Sequence, residues 1–308
     1  MDPRMRVRGA SRQRQQGYAL VAVMWMVSAL MILVSALAFQ ARTEIRVVSA
    51  GRDALTAATH GDAAIQLVLA AMAADPRTFI SRRSVDVEFE GKVIRVVVTP
   101  LNGLVSLNGA PAPLLEALLV HAAGLDPALA GVLAERIVDW RDVDSEPMPR
   151  GAEAPDYLAA GSPYRPRNGP FEAPEDLLQV LGVDLETYDK IRDLITVDGG
   201  SSLINPLAAP QEVLLVLARG NAAVAGRVAT VRDAGQVQLD TTSLMQEFTD
   251  QSSSLRFRLQ ALVPTGDGRE IVRTQVVDAS PTSSPRLPWR VIRVERPYGI
   301  GDISGASR

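Results

Sequence analysis

The sequence has 308 residues, 47% of them hydrophobic and 22% charged, with a formal net charge of −3 and no cysteine. A chain of this length buries one or two ordinary cores, and the composition is that of a globular protein carrying one membrane segment rather than a disordered or polytopic one. The acidic balance disfavours nucleic acid as a partner, and the lack of cysteine excludes disulfides, thiolate metal sites and a cysteine nucleophile.

A basic leader comes first, with Arg4, Arg6, Arg8, Arg12 and Arg14 against the single acid Asp2, and an uncharged apolar run follows from Tyr18 to Phe39. About 22 residues of helix span about 33 Å, enough to cross a bilayer. The basic flank predicts a cytoplasmic N-terminus with everything after Arg42 outside. Three readings compete for the run: a signal peptide cut near Ala36-Leu37-Ala38, a plain membrane anchor, and a segment processed at the Gly17-Tyr18 junction. A signal-peptide core of about 7–15 residues is shorter than this run.

The helix is predicted to continue. No proline occurs from Ala41 to Ala74, and Ile45, Val48, Leu55, Ala58, Ile65, Val68, Leu69 and Met72 recur at one-face spacings. Arg42, Glu44, Arg46, Arg52, Asp53 and Asp62 occupy much of the other surface, and Asp75-Pro76 ends the run. The result is one spine helix of about 55 residues, roughly 80–85 Å long.

Val85, Val87 and Phe89 then alternate with Asp86, Glu88 and Glu90, Gly91-Lys92 turns the chain, and Val93–Val98 returns as a second strand. Strand signals reappear only at Leu255–Leu259, Glu270–Val277 and Trp289–Val294, with a loop at Thr265–Arg269. Two strands rarely make a stable sheet alone, so these pieces are expected to pair into one antiparallel sheet on the spine.

Residues 102–247 between the β regions read as helical and repetitive. Ala173-Pro174-Glu175-Asp176-Leu177-Leu178 recurs as Ala209-Pro210-Gln211-Glu212-Val213-Leu214, with a fainter copy from Ala112-Pro113. Each copy passes through Gly124, Gly182 or Gly220 into a second helix, at Ala128–Trp140, Glu186–Ile195 and Ala222–Asp233. The pattern resembles helix-hairpin-helix modules, many of which hold DNA backbone. A membrane-anchored DNA-binding protein of a competence-like system is therefore the alternative reading, but Asp184 stands where the second glycine of such a hairpin belongs.

Asp139, Asp142, Asp144, Glu146, Glu153 and Asp156 gather six carboxylates in a segment interrupted by Pro147, Pro149 and Gly151. Oxygen-only donors suit Ca²⁺, although the spacing is not that of an EF-hand, and a solvated acidic loop is the plain alternative. His60 and His121 are the only histidines and both read as structural. No nucleophile elbow or phosphate loop is present, so no catalytic residue and no enzyme activity is expected.

The Gly17-Tyr18 junction resembles the processing site of type IV prepilins and type II secretion pseudopilins. In that family a membrane peptidase cuts after the glycine and methylates the new amino terminus, here Tyr18. The resemblance narrows on Leu101-Asn102-Gly103, Ser106-Leu107-Asn108, the segment Ile137–Pro147, Tyr164–Phe171 and Ile204-Asn205-Pro206, all similar to the minor pseudopilin K of type II secretion. It covers nearly the whole chain.

The resemblance implies an α+β fold with a long N-terminal transmembrane spine helix packed on a small antiparallel sheet, interrupted by a large all-helical insert of helix-hairpin-helix-like repeats. It divides the chain into a leader (1–17), membrane segment (18–39), spine and first hairpin (40–101), insert (102–247), remaining strands (248–297) and a flexible tail (298–308). It also implies an inner-membrane protein with a periplasmic domain that caps the pseudopilus tip. Ala22 stands where major pseudopilins carry the glutamate that pairs with a neighbouring amino terminus. The implied partners are minor pseudopilins I and J, the major pseudopilin and the prepilin peptidase, and the implied cofactor is calcium in the helical domain.

Overall fold

The structure, a computed structural model, describes residues 15–236, 239–266, 268–280 and 287–300. The leader residues 1–14, Asp267 of the expected loop and residues 301–308 lie outside these, as do the side chains of Gly17, Tyr18, Ile45 and Val48. Helix α1 spans Gln15–Ala74 without a break, through Ala36-Leu37-Ala38, and ends one residue before Asp75-Pro76. The chain divides into two units, one up to Thr56 and one from Ala57 onward. In the first, Ala19–Gln40 is a stretch of 22 residues long and apolar enough to cross a membrane, and none of it is buried. Its large apolar side chains, such as Trp25, Ile32 and Phe39, are exposed, as a lipid-facing surface requires.

In the second unit the end of α1 lies on a sheet. Ala57, Ala64, Ile65, Val68, Leu69 and Met72 form its buried face, spaced by threes and fours. Leu55, expected on that face, is 69% exposed, because burial starts only at Ala57. Asp62, expected on the solvent side, instead grips β6. Arg273 donates to it from Nε (2.7 Å) and Nη2 (3.1 Å), and Gln275 from Nε2 (2.7 Å). Gly61 next to it lets the helix come this close, since a Cβ there would stand 2.7 Å from the Arg273 Cβ.

The sheet contains β1 (Arg83–Phe89), β2 (Lys92–Pro100), β5 (Arg256–Pro264), β6 (Glu270–Asp278) and β7 (Arg290–Val294) in the order β1-β2-β5-β6-β7, and β8 (Tyr298–Ile300) also pairs with β6. Every pairing in it is antiparallel. Ile94, Val96 and Val98 of β2, with Phe257, Leu259, Ala261 and Val263 of β5, point alternately into the core against α1. The first hairpin turns at Glu90-Gly91, both with positive φ (47° and 71°), one residue earlier than expected. That is the turn whose twist suits a two-residue hairpin. Residues 298–300, expected in the tail, instead form β8 and continue along β6 beyond a break at Pro297, which has no N–H to offer.

The insert leaves after β2 and returns at β5. It holds α2 (Ala112–His121), α3 (Pro127–Arg141), α4 (Ala154–Ala159), a 3₁₀ segment (Pro174–Gln179), α5 (Leu185–Ile191), α6 (Gln211–Leu217) and α7 (Ala222–Asp233). Three corrections apply to the expected hairpins. The Pro174 copy is 3₁₀ rather than α-helical, α5 stops at Ile191, and Ile195 belongs to a strand. The insert is also not all-helical, since β3 (Val105–Ser106) and β4 (Ile195–Thr196) pair in parallel inside it. Gly124, Gly182 and Gly220 all adopt positive φ (73°, 92° and 80°) between the arms, a conformation that favours glycine. Asp184 follows Gly182 as the N-cap of α5, accepting from the Thr187 N–H at 2.8 Å. Leu114, Leu115, Leu118 and Leu119 of α2 pack with Leu133, Ile137, Leu214 and Leu217 in the insert core.

Candidate functional site

The acidic loop lies along one stripe of α3. Gly131, Glu135 and Asp139 are spaced by four and therefore share a face of that helix. A Cβ at Gly131 would stand 2.0 Å from Nη1 of Arg150, so the glycine leaves room for that guanidinium. Glu135 accepts from the Arg150 backbone N–H at 2.6 Å and from its Nε and Nη2 at 3.0 and 2.8 Å. Asp139, fully buried, accepts from the backbone N–H of Met148 (3.2 Å to each oxygen) and of Ala152 (2.8 Å). Gly151 is obligatory beside it, since its Cβ would fall 1.7 Å from Asp139 Oδ2.

The far side of the loop is clamped by the Tyr164–Phe171 segment. Asn168, in a left-handed conformation (φ 50°), donates from Nδ2 to the Asp144 carbonyl at 2.6 Å and from its backbone N–H to the Trp140 carbonyl at 3.1 Å. Trp140 stacks on Phe171 with ring centroids 6.1 Å apart and lies 6.2 Å from Tyr157. Asn108 receives the Phe171 N–H at 2.8 Å and donates to the carbonyls of Phe171 and Val197, both at 3.0 Å. Arg141 donates to the carbonyls of Leu107 and Ala110. Asn102 and Asn205 form a second knot at the neck of the insert, both donating to the Ser252 carbonyl at 2.6 and 2.7 Å. The recurring motif asparagines are thus backbone ties.

The six candidate metal ligands separate by what they already do. Asp139 organises the loop, Asp144 accepts the Glu146 N–H at 3.0 Å, and Asp156 accepts the Glu153 N–H at 2.8 Å at the start of α4. Glu146 and Asp156 are exposed. Asp142 Oδ1 and Glu153 Oε1 are buried without a hydrogen-bond partner, and Glu153 is only 4% exposed. Burial pushes the Asp139, Asp142 and Glu153 carboxyls up from the ordinary range, and the neighbouring carboxylates of the same loop add to the shift. Among the described residues no three such side chains already converge as a metal cage. The all-oxygen donor set and the two orphaned carboxylate oxygens nonetheless fit a hard cation. Glu135 and Arg150, absent from the expected site, carry as much of its geometry as the acids do. The spacing of four from Glu135 to Asp139 was the only signal for them.

Residues 101–199, which contain this loop and the Tyr164–Phe171 segment that clamps it, match the family model of type II secretion system protein K. The chain is similar to protein K over that range. The resemblance drawn from the sequence holds there, and a minor-pseudopilin role in type II secretion goes with it. Among solved structures, a chain of the GspK–GspI–GspJ complex from the enterotoxigenic Escherichia coli type 2 secretion system superposes with a TM-score of 0.55 at 16% identity, covering 80% of this chain and 98% of that one. At that identity the likeness speaks for the α+β pseudopilin fold, with its apolar N-terminal helix and antiparallel sheet. No curated protein matches the chain. The DNA-binding alternative finds no support, and the comparisons do not establish helix-hairpin-helix repeats. The apolar helix that precedes residues 101–199 fits a single-pass membrane anchor.

Proposed function

We propose that this chain caps the tip of a periplasmic pseudopilus and helps initiate its assembly, in the service of protein export across the outer membrane. The observation that carries the reading is the protein K match over residues 101–199, on an insert that interrupts a pseudopilin-type helix and sheet between β2 and β5. In this reading the chain is an inner-membrane prepilin with a cytoplasmic N-terminus, cut after Gly17 and methylated on Tyr18. Ala22 lies in the apolar span and brings no carboxylate to pair with a subunit above, which suits the end of a filament. The insert's bulk argues the same way, because it would obstruct stacking elsewhere. Its helix–glycine–helix pairs serve as repeated packing units, and the role is structural, with no reaction assigned.

Minor pseudopilins I and J are the expected partners, by analogy with the similar Escherichia coli chain, which was crystallised with GspI and GspJ. The major pseudopilin and the prepilin peptidase complete the set. The acidic loop would hold Ca²⁺ chiefly through Asp142 and Glu153, with Asp144 alongside. When bound, the cation supplies the positive charge that the buried carboxylates lack.

The test is the intact mass and N-terminal sequence of the protein from bacterial membranes with and without the prepilin peptidase. A chain starting at N-methylated Tyr18 only when the peptidase is present is expected. A start after Ala38, or an uncut chain in both strains, would overturn the prepilin reading.

A further inference from the structure

A second polar site lies away from the acidic loop, where the link from α1 to β1 meets the end of α7. A cavity of about 570 Å³ there is lined by Arg82, Arg83 and Arg232 and by Thr78, Ser81 and Ser84. Small-molecule sites commonly occupy about 300–1,000 Å³. Arg232 is 5% exposed and committed, donating to the Ala209 carbonyl and, from Nε, to Asp233 at 2.8 Å. Arg83 donates to the Thr78 carbonyl at 3.0 Å and lies over the Phe79 ring. Arg82 differs. Its backbone N–H is tied to the Leu207 carbonyl at 3.1 Å, but among the described residues no hydrogen bond or contact ion pair holds its guanidinium.

Among the described residues no charged partner touches the Arg82 guanidinium, although two acids act on it from a distance. Burial lowers its pKa and the like charge of Arg232 lowers it further, while Glu212 and Asp233 act in the opposite sense. Asp233 is the only acid lining the cavity among the described residues, and it is already engaged by Arg232. A half-buried cation without a partner in contact, with a second arginine lining the same cavity, is stabilised by an anion that enters. The number of donors narrows the class of anion. The Thr78 hydroxyl is taken by Asp75, which leaves the Arg82 fork, the remaining Arg83 donors and Ser81 and Ser84, still more than the two oxygens of a carboxylate can serve. A phosphate group presents three or four, and arginine recognises it through paired N–H donors.

We propose that this cavity is a phosphate-binding site with Arg82 as its principal ligand-holding residue. The volume exceeds that of the bare ion, so the site accommodates either free phosphate or a phosphate carried on a larger molecule. The proposal is independent of the pseudopilus reading, since it rests on the cavity alone.

Isothermal titration of the full chain in detergent, at constant ionic strength set with chloride, tests it with inorganic phosphate and with glycerol 3-phosphate as separate titrants. Saturable binding of at least one titrant is expected, weakened about tenfold or more in Arg82→Gln, in keeping with the loss of a charge-assisted hydrogen bond. Tighter binding of the monoester identifies a carried phosphate, and equal binding identifies the free ion. Arg82→Gln removes no bond that holds the fold. Should it nevertheless unfold, Arg82→Lys keeps the charge, loses the fork and is expected to bind more weakly than the native chain. Arg95→Gln, on the exposed side of β2, is the control expected to bind normally. No saturable binding of either titrant, or equal affinity in the native chain and the Arg82 variant, overturns the proposal.

Discussion

Gly151→Ala should destabilise the protein through one side chain, Asp139, and that route is measurable. Gly151 has no left-handed backbone that an alanine would strain. The whole cost therefore comes from its Cβ, which would stand 1.7 Å from Asp139 Oδ2, 2.7 Å from its Cγ and 3.0 Å from the Met148 nitrogen. Displacing the carboxylate leaves the N–H groups of Met148 and Ala152 without their acceptor. Each buried donor left unpaired costs about 1–3 kcal/mol, and relief of a carboxylate whose ionised form burial disfavours returns part of that. A net loss of about 2–4 kcal/mol follows, and at about 2–4 °C per kcal/mol the melting temperature should fall by roughly 5–15 °C. Asp139→Ala should cost a similar amount, since it abandons the same two donors. The decisive measurement is the double variant, melted by circular dichroism as the full chain in detergent with EDTA present. Once the carboxylate is gone, the new methyl has room, so the double variant should melt close to Asp139→Ala alone, with a coupling of about 2 kcal/mol or more. Additive losses would refute the reasoning, because they would mean that Gly151 matters for something other than the space it leaves for Asp139.

Three further outcomes follow from the same geometry. Because the folded-state pKa values of Asp139, Asp142 and Glu153 are raised, their ionised forms cost stability at neutral pH, and that cost is relieved as pH falls through the raised values toward the ordinary carboxylate range. The metal-free chain should thus melt higher at mildly acidic pH than at pH 7.5, and a monotonic fall with acidification would contradict this. Calcium at pH 7.5 should raise the melting temperature saturably in the native chain and far less in the Asp142→Asn, Glu153→Gln double variant, with the gain fading as the pH is lowered; equal gains in both proteins would exclude the loop as the site. Asp198→Ala removes the acceptor of the paired Arg293 bonds, both 3.0 Å, that fasten the insert to β7. It should cost about 1.5–3 kcal/mol in denaturant titration, whereas a change under about 0.5 kcal/mol would mean that the pair is replaced by water.

The parts of the fold that the sequence made legible are those with a local signature. Alternation in Ile94, Val96 and Val98 marks β2, and the same period marks β5. Gly124, Gly182 and Gly220 marked three chain reversals, because a left-handed residue leaves its trace as a glycine. What stayed hidden was set by distant partners. Asp62 looked like a solvent-facing acid until Arg273 and Gln275, more than two hundred positions away, came to meet it. The Pro174 and Pro210 segments share nearly the same residues, yet one is 3₁₀ and the other leads into α6. Proline at a helix start sets the entry angle and not the pitch. Strand β8 is three residues long, too short for any period, and Pro297 before it reads as a terminator.

The candidate site shows the same division in a sharper form. Its acids were visible as a cluster, but a cluster does not say which carboxylates are already engaged. That depends on Gly131, Glu135 and Asp139 forming a single stripe on α3, which spends two of its acids on fixing the loop backbone and one glycine on admitting Arg150. In this loop Glu153 is buried and Asp142 half-buried, and each keeps a buried oxygen without a partner. A loop that merely solvated its charges would let these side chains turn outward and would need neither a buried Asp139 nor Gly151. Holding orphaned ionised carboxylates in place is unfavourable for the empty protein and is relieved by a proton or by a bound positive charge. In the proposed calcium reading, Asp142 and Glu153 are therefore the ligands to test first.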